Sequence, residues 1–246
     1  MTATTSFPAK MATCLVAGLT CAAFWLLLGN GGGIPWLPPT LVFSLVALSL
    51  VAAGGLLAWW QAGEARWPVA AKVGPWLQEA ICYLTAFNIA CFGWKKLFGL
   101  QFIVPPAIAS QPMNQQSGEW LTWYYFGYSP TFGLLLALIQ LAGAGLLLFR
   151  ATRLLGAVIL TAFLLNLTLI DICYHLNAGA VVQAVVATLD VLFIMWLHYA
   201  RLLAIFLPTA EPETASATRT LPGNLVRISA ILLSLLFTFY LSILLK

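Results

Sequence analysis

The chain has 246 residues, of which 62% are hydrophobic and only 7% are charged, and its mean hydropathy is +0.96. Soluble domains carry roughly a quarter of charged residues, so this composition excludes an ordinary soluble domain and predicts an integral membrane protein. The net charge is +4. Most of the cationic residues lie between apolar segments, so membrane topology explains the charge without a nucleic-acid partner.

Seven apolar segments have the length that a membrane-spanning helix needs, which is ~20 residues. In chain order they are Met11–Leu28, Leu41–Trp60, Trp76–Trp94, Pro130–Leu148, Leu154–Ile170, Ala178–Leu197 and Leu225–Leu245. The 10 tryptophans fall near the ends of these segments or in the loops, as in an interfacial aromatic belt. The sequence therefore predicts an all-α, polytopic membrane protein with seven transmembrane helices, embedded in a lipid bilayer.

The first apolar segment follows Lys10 and has the position of a secretory signal peptide. Its apolar run is longer than the usual core of a signal peptide. The Gly-Asn-Gly-Gly-Gly run at residues 29–33 lacks the usual cleavage pattern of small residues. We therefore expect this segment to be retained as a transmembrane helix.

The distribution of Lys and Arg predicts the orientation in the membrane. With the N-terminus in the cytoplasm, eight of the 11 basic residues lie on the inner side and three on the outer side. The inner residues are Lys10, Arg66, Lys72, Arg150, Arg153, Arg201, Arg219 and Arg227, and the outer residues are Lys95, Lys96 and Lys246. The positive-inside rule therefore predicts a bacterial inner membrane protein with a cytoplasmic N-terminus and a periplasmic C-terminus.

The chain divides into three blocks. Residues 1–75 hold two plain spans, residues 76–207 hold four spans with most of the intramembrane polar residues, and residues 208–246 hold a linker and a last span. Short turns favour antiparallel neighbours, so we predict that spans three to six form a left-handed four-helix bundle. The long aromatic connection at 95–129 is expected to cap this bundle at the outer interface, either as a plug or as a ligand lid.

Four polar side chains share the depth of the predicted bilayer centre, ~15 Å inside a ~30 Å hydrocarbon core. They are Asn88, Gln140, Asn166 and Asp190, each about ten to twelve residues inside a different apolar segment. We predict that these side chains face one another and that Asp190 hydrogen-bonds to one of the three amides. A carboxylate at this depth costs ~2.5–3.5 kcal/mol. Two roles stay open for it: interhelical hydrogen bonding, or a proton relay or quinone-headgroup contact.

A second candidate site lies at the predicted outer end. Asp171 and His175 are four residues apart and share one helix face if the fifth span continues that far. A carboxylate that orients an imidazole is a general-base arrangement, and it also suits a quinone oxygen. The alternative is a salt bridge between Asp171 and either Lys95 or Lys96. Four residues at this end are candidates for cofactor binding: Lys95, Gln101, Trp123 and Tyr124.

Polar residues at the predicted inner end favour a structural role. Glu79 lies just inside the bilayer, where pairing with Arg201 or Arg150 would neutralise its charge. Anchoring and lipid-headgroup contacts explain the remaining basic residues at this end.

Haem, metal and thiol–disulfide chemistry have no support in the sequence. His175 and His198 are the 2 histidines of the chain, and a helical separation of ~35 Å excludes them as axial ligands of one haem. No cluster of Cys and His supports a metal site. No CxxC pair occurs among the 5 cysteines. Cys91 and Cys173 share the outer depth, where two buried free thiols are a simpler interpretation than a disulfide.

An ordered set of short motifs marks the middle block. Residues 93–102 read Gly-Trp-Lys-Lys-Leu-Phe-Gly-Leu-Gln-Phe, residues 126–129 read Phe-Gly-Tyr-Ser, and residues 149–153 read Phe-Arg-Ala-Thr-Arg. Leu155-Gly156-Ala157 follows the last of them. In this order, residues 76–207 resemble the DoxX-like family of four-helix bacterial membrane proteins.

The resemblance implies a redox-linked function. That family is similar to a small subunit of an archaeal thiosulfate:quinone oxidoreductase, and other members accompany redox enzymes. In the family pattern an acid often occupies the middle of the helix before the Phe-Arg turn, where this chain has Gln140. A proton-carrying step at that place would therefore be lost or moved to Asp190.

Two hypotheses for function follow, and each implies a membrane or peripheral protein partner. In the first, the protein is an integral membrane subunit or partner of a quinone-linked redox system, and its polar layer handles quinone or protons. In the second, it is a non-catalytic assembly subunit whose helices within residues 1–60 and 225–245 dock against a larger membrane complex. The sequence does not decide whether the chain is itself an enzyme.

Overall fold

A computed structural model describes residues 6–29, 37–64, 66–67 and 69–207. Every element of secondary structure in these ranges is a helix. The predicted linker at 208–223 and the last predicted span lie outside the described residues. The chain divides into two units, Met1–Leu202 and Leu203–Lys246, and the candidate functional site lies in the first unit.

The described ranges hold nine α-helices and one short 3-10 helix at Met113–Gln115. The α-helices are α1 (Phe7–Leu28), α2 (Pro39–Gly63), α3 (Ala70–Leu97), α4 (Pro106–Ala109), α5 (Gly118–Tyr128), α6 (Pro130–Leu148), α7 (Arg153–Cys173), α8 (Ala178–Leu197) and α9 (Tyr199–Phe206).

Five of these helices, α1, α2, α6, α7 and α8, are long and apolar enough to cross a membrane. The chain is therefore a multi-pass membrane protein, and the predicted all-α fold is confirmed. Helix α3 has 28 residues, but it includes Glu79, Asn88 and three lysines and is not among the five. The count of seven spans stays a prediction.

Two helices begin where the sequence predicts because a side chain caps them. The Ser129 hydroxyl accepts a hydrogen bond of 3.3 Å from the Phe132 N–H at the start of α6. The Asn177 side-chain oxygen accepts one of 3.0 Å from the Ala180 N–H at the start of α8. Such caps satisfy N–H groups that have no partner within the helix.

Other helices extend beyond their predicted apolar segments. Helix α2 continues to Gly63 and α3 already begins at Ala70, so the connection between the second and third predicted segments is much shorter than their bounds imply. Hydropathy measures the length that suits lipid, whereas a helix continues for as long as its backbone hydrogen bonds are favourable.

Helix α1 packs among the helices of the middle block. Helix α3 contacts α6 and α8, and α7 also contacts α6 and α8. Helix α1 contacts α2, α3 and α8. The first predicted span, which looked plain in sequence, therefore forms part of the wall around the polar residues described below.

Small residues bring α6 and α7 close together near the turn that joins them. A Cβ atom on Gly156 would lie 2.9 Å from the backbone oxygen of Gly143, which is too close for any real side chain. A Cβ atom on Gly143 would similarly overlap Leu160, which is fully buried. Close helix contact through small residues is a general way of packing helices in membranes.

Candidate functional site

A small cavity of about 90 Å³ lies at the end of the first unit where α3 and α7 finish and α6 and α8 begin. We call it the polar cavity, because eight polar side chains line it together with apolar ones. These eight are Asn88, Lys96, Gln101, Thr122, Gln140, Asp171, Asn177 and Gln183. They come from five helices and from the connections after α3 and α7, so no short stretch of sequence contains the site.

Lys96 supplies the positive charge of the polar cavity. Its ammonium group lies 5.9 Å from the centre of the Phe92 ring and 5.5 Å from that of Phe102. Aromatic faces attract a cation, but they do not accept its hydrogen bonds as a carboxylate would. In the part of the chain that the structure describes, no carboxylate forms an ion pair with Lys96.

Three oxygens of the polar cavity have no hydrogen-bond partner among the described residues. They belong to the side chains of Gln101, Gln140 and Asp171. Gln140 is 2% exposed and Asp171 is 4% exposed, so protein surrounds both side chains. A buried polar group without a partner costs about 1–3 kcal/mol, and in native proteins such a group needs an explanation.

A chain of amide hydrogen bonds forms one wall of the cavity. The Asn88 amide donates to the Gln183 side-chain oxygen at 2.8 Å, and the Gln183 amide donates to the backbone oxygen of Ala23 at 2.8 Å. The chain therefore ties α3, α8 and α1 together. Gln183 was not predicted, although it lies seven residues before Asp190 and so on the same side of α8.

Aromatic residues of the connection between α3 and α6 cover the polar cavity. The Phe102 ring stacks on Phe126 with 5.2 Å between ring centres and meets Trp123 edge-on at 5.9 Å. Phe102 has a φ of 67°, a left-handed conformation that non-glycine residues rarely adopt. A Cβ atom on Gly127 would lie 3.0 Å from the Phe102 oxygen, so the small residue leaves room for this turn.

Helix α5 is anchored to the turn between α7 and α8. Glu119 accepts a 2.9 Å hydrogen bond from the Asn177 amide. A Cβ atom on Gly118 would overlap the backbone oxygen of Tyr174. The start of α5 is therefore held against the turn between α7 and α8, next to the polar cavity.

Asp190 lies apart from the polar cavity and has two hydroxyl partners. Its Oδ1 lies 2.8 Å from the Thr20 hydroxyl, and its Oδ2 accepts from the Thr85 hydroxyl at 2.8 Å. The predicted amide partners are wrong, because this face of α8 meets threonines of α1 and α3. Neither threonine was predicted, since each looks like an ordinary residue of an apolar helix.

The hydrogen bonds around Asp190 are complete when its carboxyl group carries a proton. The Thr20 oxygen lies 2.7 Å from the Val16 backbone oxygen as well as 2.8 Å from Asp190. A hydroxyl group has a single hydrogen, so when Thr20 donates to Val16 the carboxyl group must donate to Thr20. Asp190 is 1% exposed, which fits a neutral acid that joins three helices.

The predicted pair of Asp171 and His175 does not form. Helix α7 ends at Cys173, and His175 turns away with a φ of 54°. His175 is exposed, whereas Asp171 points into the polar cavity. Four-residue spacing places two side chains on one face only within a continuous helix, and the helix stops between these two.

Asn166 also departs from the predicted polar layer. It is exposed, on the side of α7 away from the buried Leu160 and Leu164. Two residues after Leu164, a helix has turned by about 200°. The four polar side chains therefore separate: Asn88 and Gln140 line the polar cavity, Asp190 binds threonines, and Asn166 faces outward.

The structure brings two of the four cofactor-binding candidates into the polar cavity, Gln101 and Trp123. Lys95 lines a neighbouring space on the side of α1, and its ammonium group lies 5.3 Å from the centre of the Phe92 ring. Tyr124 follows Trp123 on α5 but does not line the polar cavity. Lys96, considered in the sequence only as a salt-bridge partner, is the cation that does line it.

The opposite end of the helices holds ion pairs. Glu79 accepts hydrogen bonds of 2.9 Å from Arg150 and 2.8 Å from Arg153. The predicted pairing with Arg150 is confirmed. The buried Arg153 adds a bidentate contact, in which its two terminal nitrogens donate to the two oxygens of Glu79. On α1, the buried Lys10 pairs with Glu64. These contacts join neighbouring helices and have a structural role.

Cys91 and Cys173 are free thiols, so they are not bridged in this structure. Cys173 is exposed, contrary to the expectation that both are buried. Its position at the last residue of α7 places it outside the packed helix interior.

These helices and this cavity define a class: a multi-pass, all-α membrane protein with a buried polar cavity beneath an aromatic cover. No family model matches the chain, and no solved structure matches it. The chain is 30% identical over 122 residues to the uncharacterized protein YwoB of Bacillus subtilis (strain 168), a match that covers 49% of this chain and 76% of YwoB. The chain belongs to the same family as YwoB. Membership of the DoxX-like family stays a prediction.

Proposed function

We propose that this protein is an integral membrane component of a quinone-linked redox system and that the polar cavity holds the quinone head. One observation carries the proposal. Unpartnered oxygens of Gln101, Gln140 and Asp171 line a single cavity that also contains the cation of Lys96. Buried acceptor oxygens of this kind are satisfied by a ligand that donates hydrogen bonds, and the hydroxyl groups of a reduced quinone head donate them.

The residues of the chain take distinct roles in this proposal. A bound quinone supplies the transfer of electrons and protons between redox enzymes. Lys96 donates a hydrogen bond to the head, and the Asp171 carboxylate accepts a hydrogen bond or a proton from the reduced head at its Oδ1. Trp123 and Phe126, in the connection that covers the polar cavity, exclude water from it. A partner enzyme supplies the redox centre, and the similarity of residues 76–207 to the DoxX-like family supports this arrangement.

The proposal includes a finer topology. Helix α3 and the segment 225–245 cross the bilayer with the five apolar helices, and spans three to six form the four-helix bundle. The N-terminus is cytoplasmic, the C-terminus is periplasmic and the membrane is the bacterial inner membrane. The polar cavity then lies near the periplasmic side. The excess of basic residues at the opposite end supports this orientation.

A second candidate function is a non-catalytic assembly subunit, and α2 favours it. Only 11% of the apolar window of α2 is buried, against 50% for α8. A helix so little covered by the described helices offers a long apolar face to lipid or to another membrane subunit.

Purification in mild detergent tests the proposal. We expect quinone to co-purify with the wild-type protein and the Lys96→Met variant to retain at least about tenfold less, because a hydrogen bond from a charged donor is lost. The matched control is Lys72→Met, since Lys72 is exposed at the other end of the same helix. Quinone content is measured by extraction and chromatography.

Three outcomes decide between the two functions. Quinone retention that depends on Lys96, together with a co-purifying redox enzyme, supports the redox proposal. A stoichiometric set of structural subunits without quinone supports the assembly function. Equal quinone content in Lys96→Met, Lys72→Met and wild type overturns the assignment of the polar cavity.

A further inference from the structure

A larger apolar groove adjoins the polar cavity. The groove has a volume of about 620 Å³ and lies between α5, α6 and α7. Five residues line both spaces and form their common boundary: Lys96, Phe102, Thr122, Phe126 and Leu167. The groove therefore lies directly beside the polar cavity, within reach of a molecule that is too long for the cavity alone.

The lining of the groove suits a hydrocarbon chain. Phe132 and Leu136 of α6 face Phe163 and Ile170 of α7 across it. Asn166, exposed on α7, lies among these apolar neighbours. Such side chains offer a hydrocarbon chain close van der Waals contacts along its length.

The packing of α6 and α7 explains why the groove exists at this end. The two helices touch through Gly143 and Gly156 near the turn that joins them. Phe132, Phe163 and Tyr174 occupy the groove end, where larger side chains keep the helices apart. Asn166 lines the groove, lies inside α7 and is exposed, so the groove opens along the side of this helix. In a membrane protein this direction leads to the lipid region.

The lining of the polar cavity favours a ligand that donates hydrogen bonds. The three unpartnered atoms of the polar cavity, on Gln101, Gln140 and Asp171, are all assigned as oxygens. A carbonyl group only accepts hydrogen bonds, so it can pair with Lys96 but not with these oxygens. A hydroxyl group both donates and accepts, so it can serve the oxygens and the ammonium group together.

We infer that the polar cavity and the groove form one site for a long-chain amphiphile with a hydroxyl-bearing ring as its head. The head occupies the polar cavity and the chain lies in the groove. The hydroxyl form is bound more tightly than the corresponding carbonyl form, so a hydroquinone binds more tightly than its quinone. The inference rests on the proposed function in using the same cavity, but it requires no redox partner.

Four probes test this inference by calorimetry on the full chain in lipid nanodiscs. They are decylhydroquinone, decylquinone, 5-decylresorcinol and resorcinol without a chain. The two hydroxyl-bearing decyl compounds are expected to bind about tenfold more tightly than decylquinone, since one or more donated hydrogen bonds are gained. Loss of the chain is expected to weaken binding by at least about 100-fold.

Variants separate the head site from the chain site. Gln140→Leu removes one acceptor without changing charge, and we expect the preference for hydroxyl over carbonyl to fall below about threefold. Leu136→Trp fills the groove and is expected to weaken the decyl compounds about tenfold without affecting resorcinol. Leu138→Trp is the matched control, because Leu138 is 49% exposed on α6 and does not line the groove.

The outcomes of this test are distinct from those of the proposed function. Equal binding of decylhydroquinone and decylquinone, or equal binding with and without the chain, overturns the inference even if quinone co-purifies. Tight binding of 5-decylresorcinol that is lost in Leu136→Trp and kept in Leu138→Trp supports the inference even if no redox partner exists. The resorcinol ring cannot form a simple quinone, so its binding reports the site and not a reaction.

Discussion

Asp190 and Asp171 are both buried acids on helices, yet their surroundings differ. Hydroxyl groups of Thr20 and Thr85 meet the two oxygens of Asp190. The Oδ1 of Asp171 has no partner among the described residues and lines the polar cavity. An unmet hydrogen bond costs about 1–3 kcal/mol, whereas a satisfied one contributes modestly to stability. We therefore propose a structural role for Asp190 and a ligand-binding role for Asp171.

Substitution of Asp190 tests its structural role. Asp190→Asn keeps a donor and an acceptor of similar size, so we expect a change of less than about 0.6 kcal/mol in the free energy of unfolding. Asp190→Leu leaves the Thr85 hydroxyl without its partner, and we expect destabilisation by about 1–3 kcal/mol. Thermal unfolding of the purified protein in detergent measures both.

The neighbouring residue provides the control for Asp190. Leu189 is 43% exposed, so Leu189→Ala is expected to leave the melting temperature nearly unchanged. If Asp190→Asn destabilised the protein as much as Asp190→Leu, an ionised carboxylate would be required there. That result, or a loss of redox activity in a stable Asp190→Asn variant, would restore a proton-carrying role for this residue.

Helix packing depends on where small residues lie, and α6 contains a direct comparison. Gly143 faces α7 at close range, whereas a Cβ atom on Gly145 would have nothing within 4 Å. Helices α6 and α7 thus rely on one side of α6 for contact. The close contact between α6 and α7 does not extend to the groove, so it also determines where the proposed site for the hydrocarbon chain begins.

The contact between α6 and α7 is tested at Gly156. Gly156→Ala places a methyl group against the backbone of Gly143, and we expect destabilisation by about 1–3 kcal/mol. Gly145→Ala is the matched control and is expected to be neutral or stabilising by up to about 1 kcal/mol. Melting temperatures in detergent give the comparison. Equal melting temperatures for the two variants would show that α6 and α7 separate without cost.

Across the molecule as a whole, the charged side chains at one end of the helices form ion pairs, whereas those at the other end line the polar cavity. Ion pairs of Glu79 and Lys10 occupy one end, and the polar cavity with Lys96 occupies the other. If the end with the ion pairs is cytoplasmic, as the basic residues predict, the cavity is reached from the periplasmic half of the membrane.

Cysteine labelling tests this orientation. In a cysteine-free variant of the full chain, Gln111→Cys is expected to react with a membrane-impermeant maleimide in intact cells. Ala151→Cys, in the turn between α6 and α7, is expected to react only after the membrane is permeabilised. Both positions are exposed, so access and not burial controls the reaction. A reporter fused after Lys246 is expected to be active only if it functions in the periplasm.

The reverse labelling pattern would show that the charge bias was misinterpreted. A reporter that is active in the cytoplasm, combined with the expected cysteine pattern, would show instead that the segment 225–245 does not cross the membrane. The two measurements therefore separate an inverted protein from a miscounted span.

The amino-acid composition of each segment was enough to predict that the chain lies in a membrane. Apolar length decides whether a helix partitions into lipid, and this depends on composition more than on neighbours. Five of the predicted spans are therefore apolar helices in the structure. A constant rise per residue gives Asn88 and Gln140 similar distances from the helix ends at the polar cavity, and both side chains line it. Their depth in the bilayer stays a prediction.

The direction in which each polar side chain points depended on the packing of all the helices together. Gln183 and Thr20 gained their roles only because α1 lies against α8. Asn166 lost its predicted role because α7 presents its leucines inward. A helix rotates about its axis at almost no cost to its own hydrogen bonds. Contacts with its neighbours therefore select its rotation, and distant residues of the chain supply those contacts.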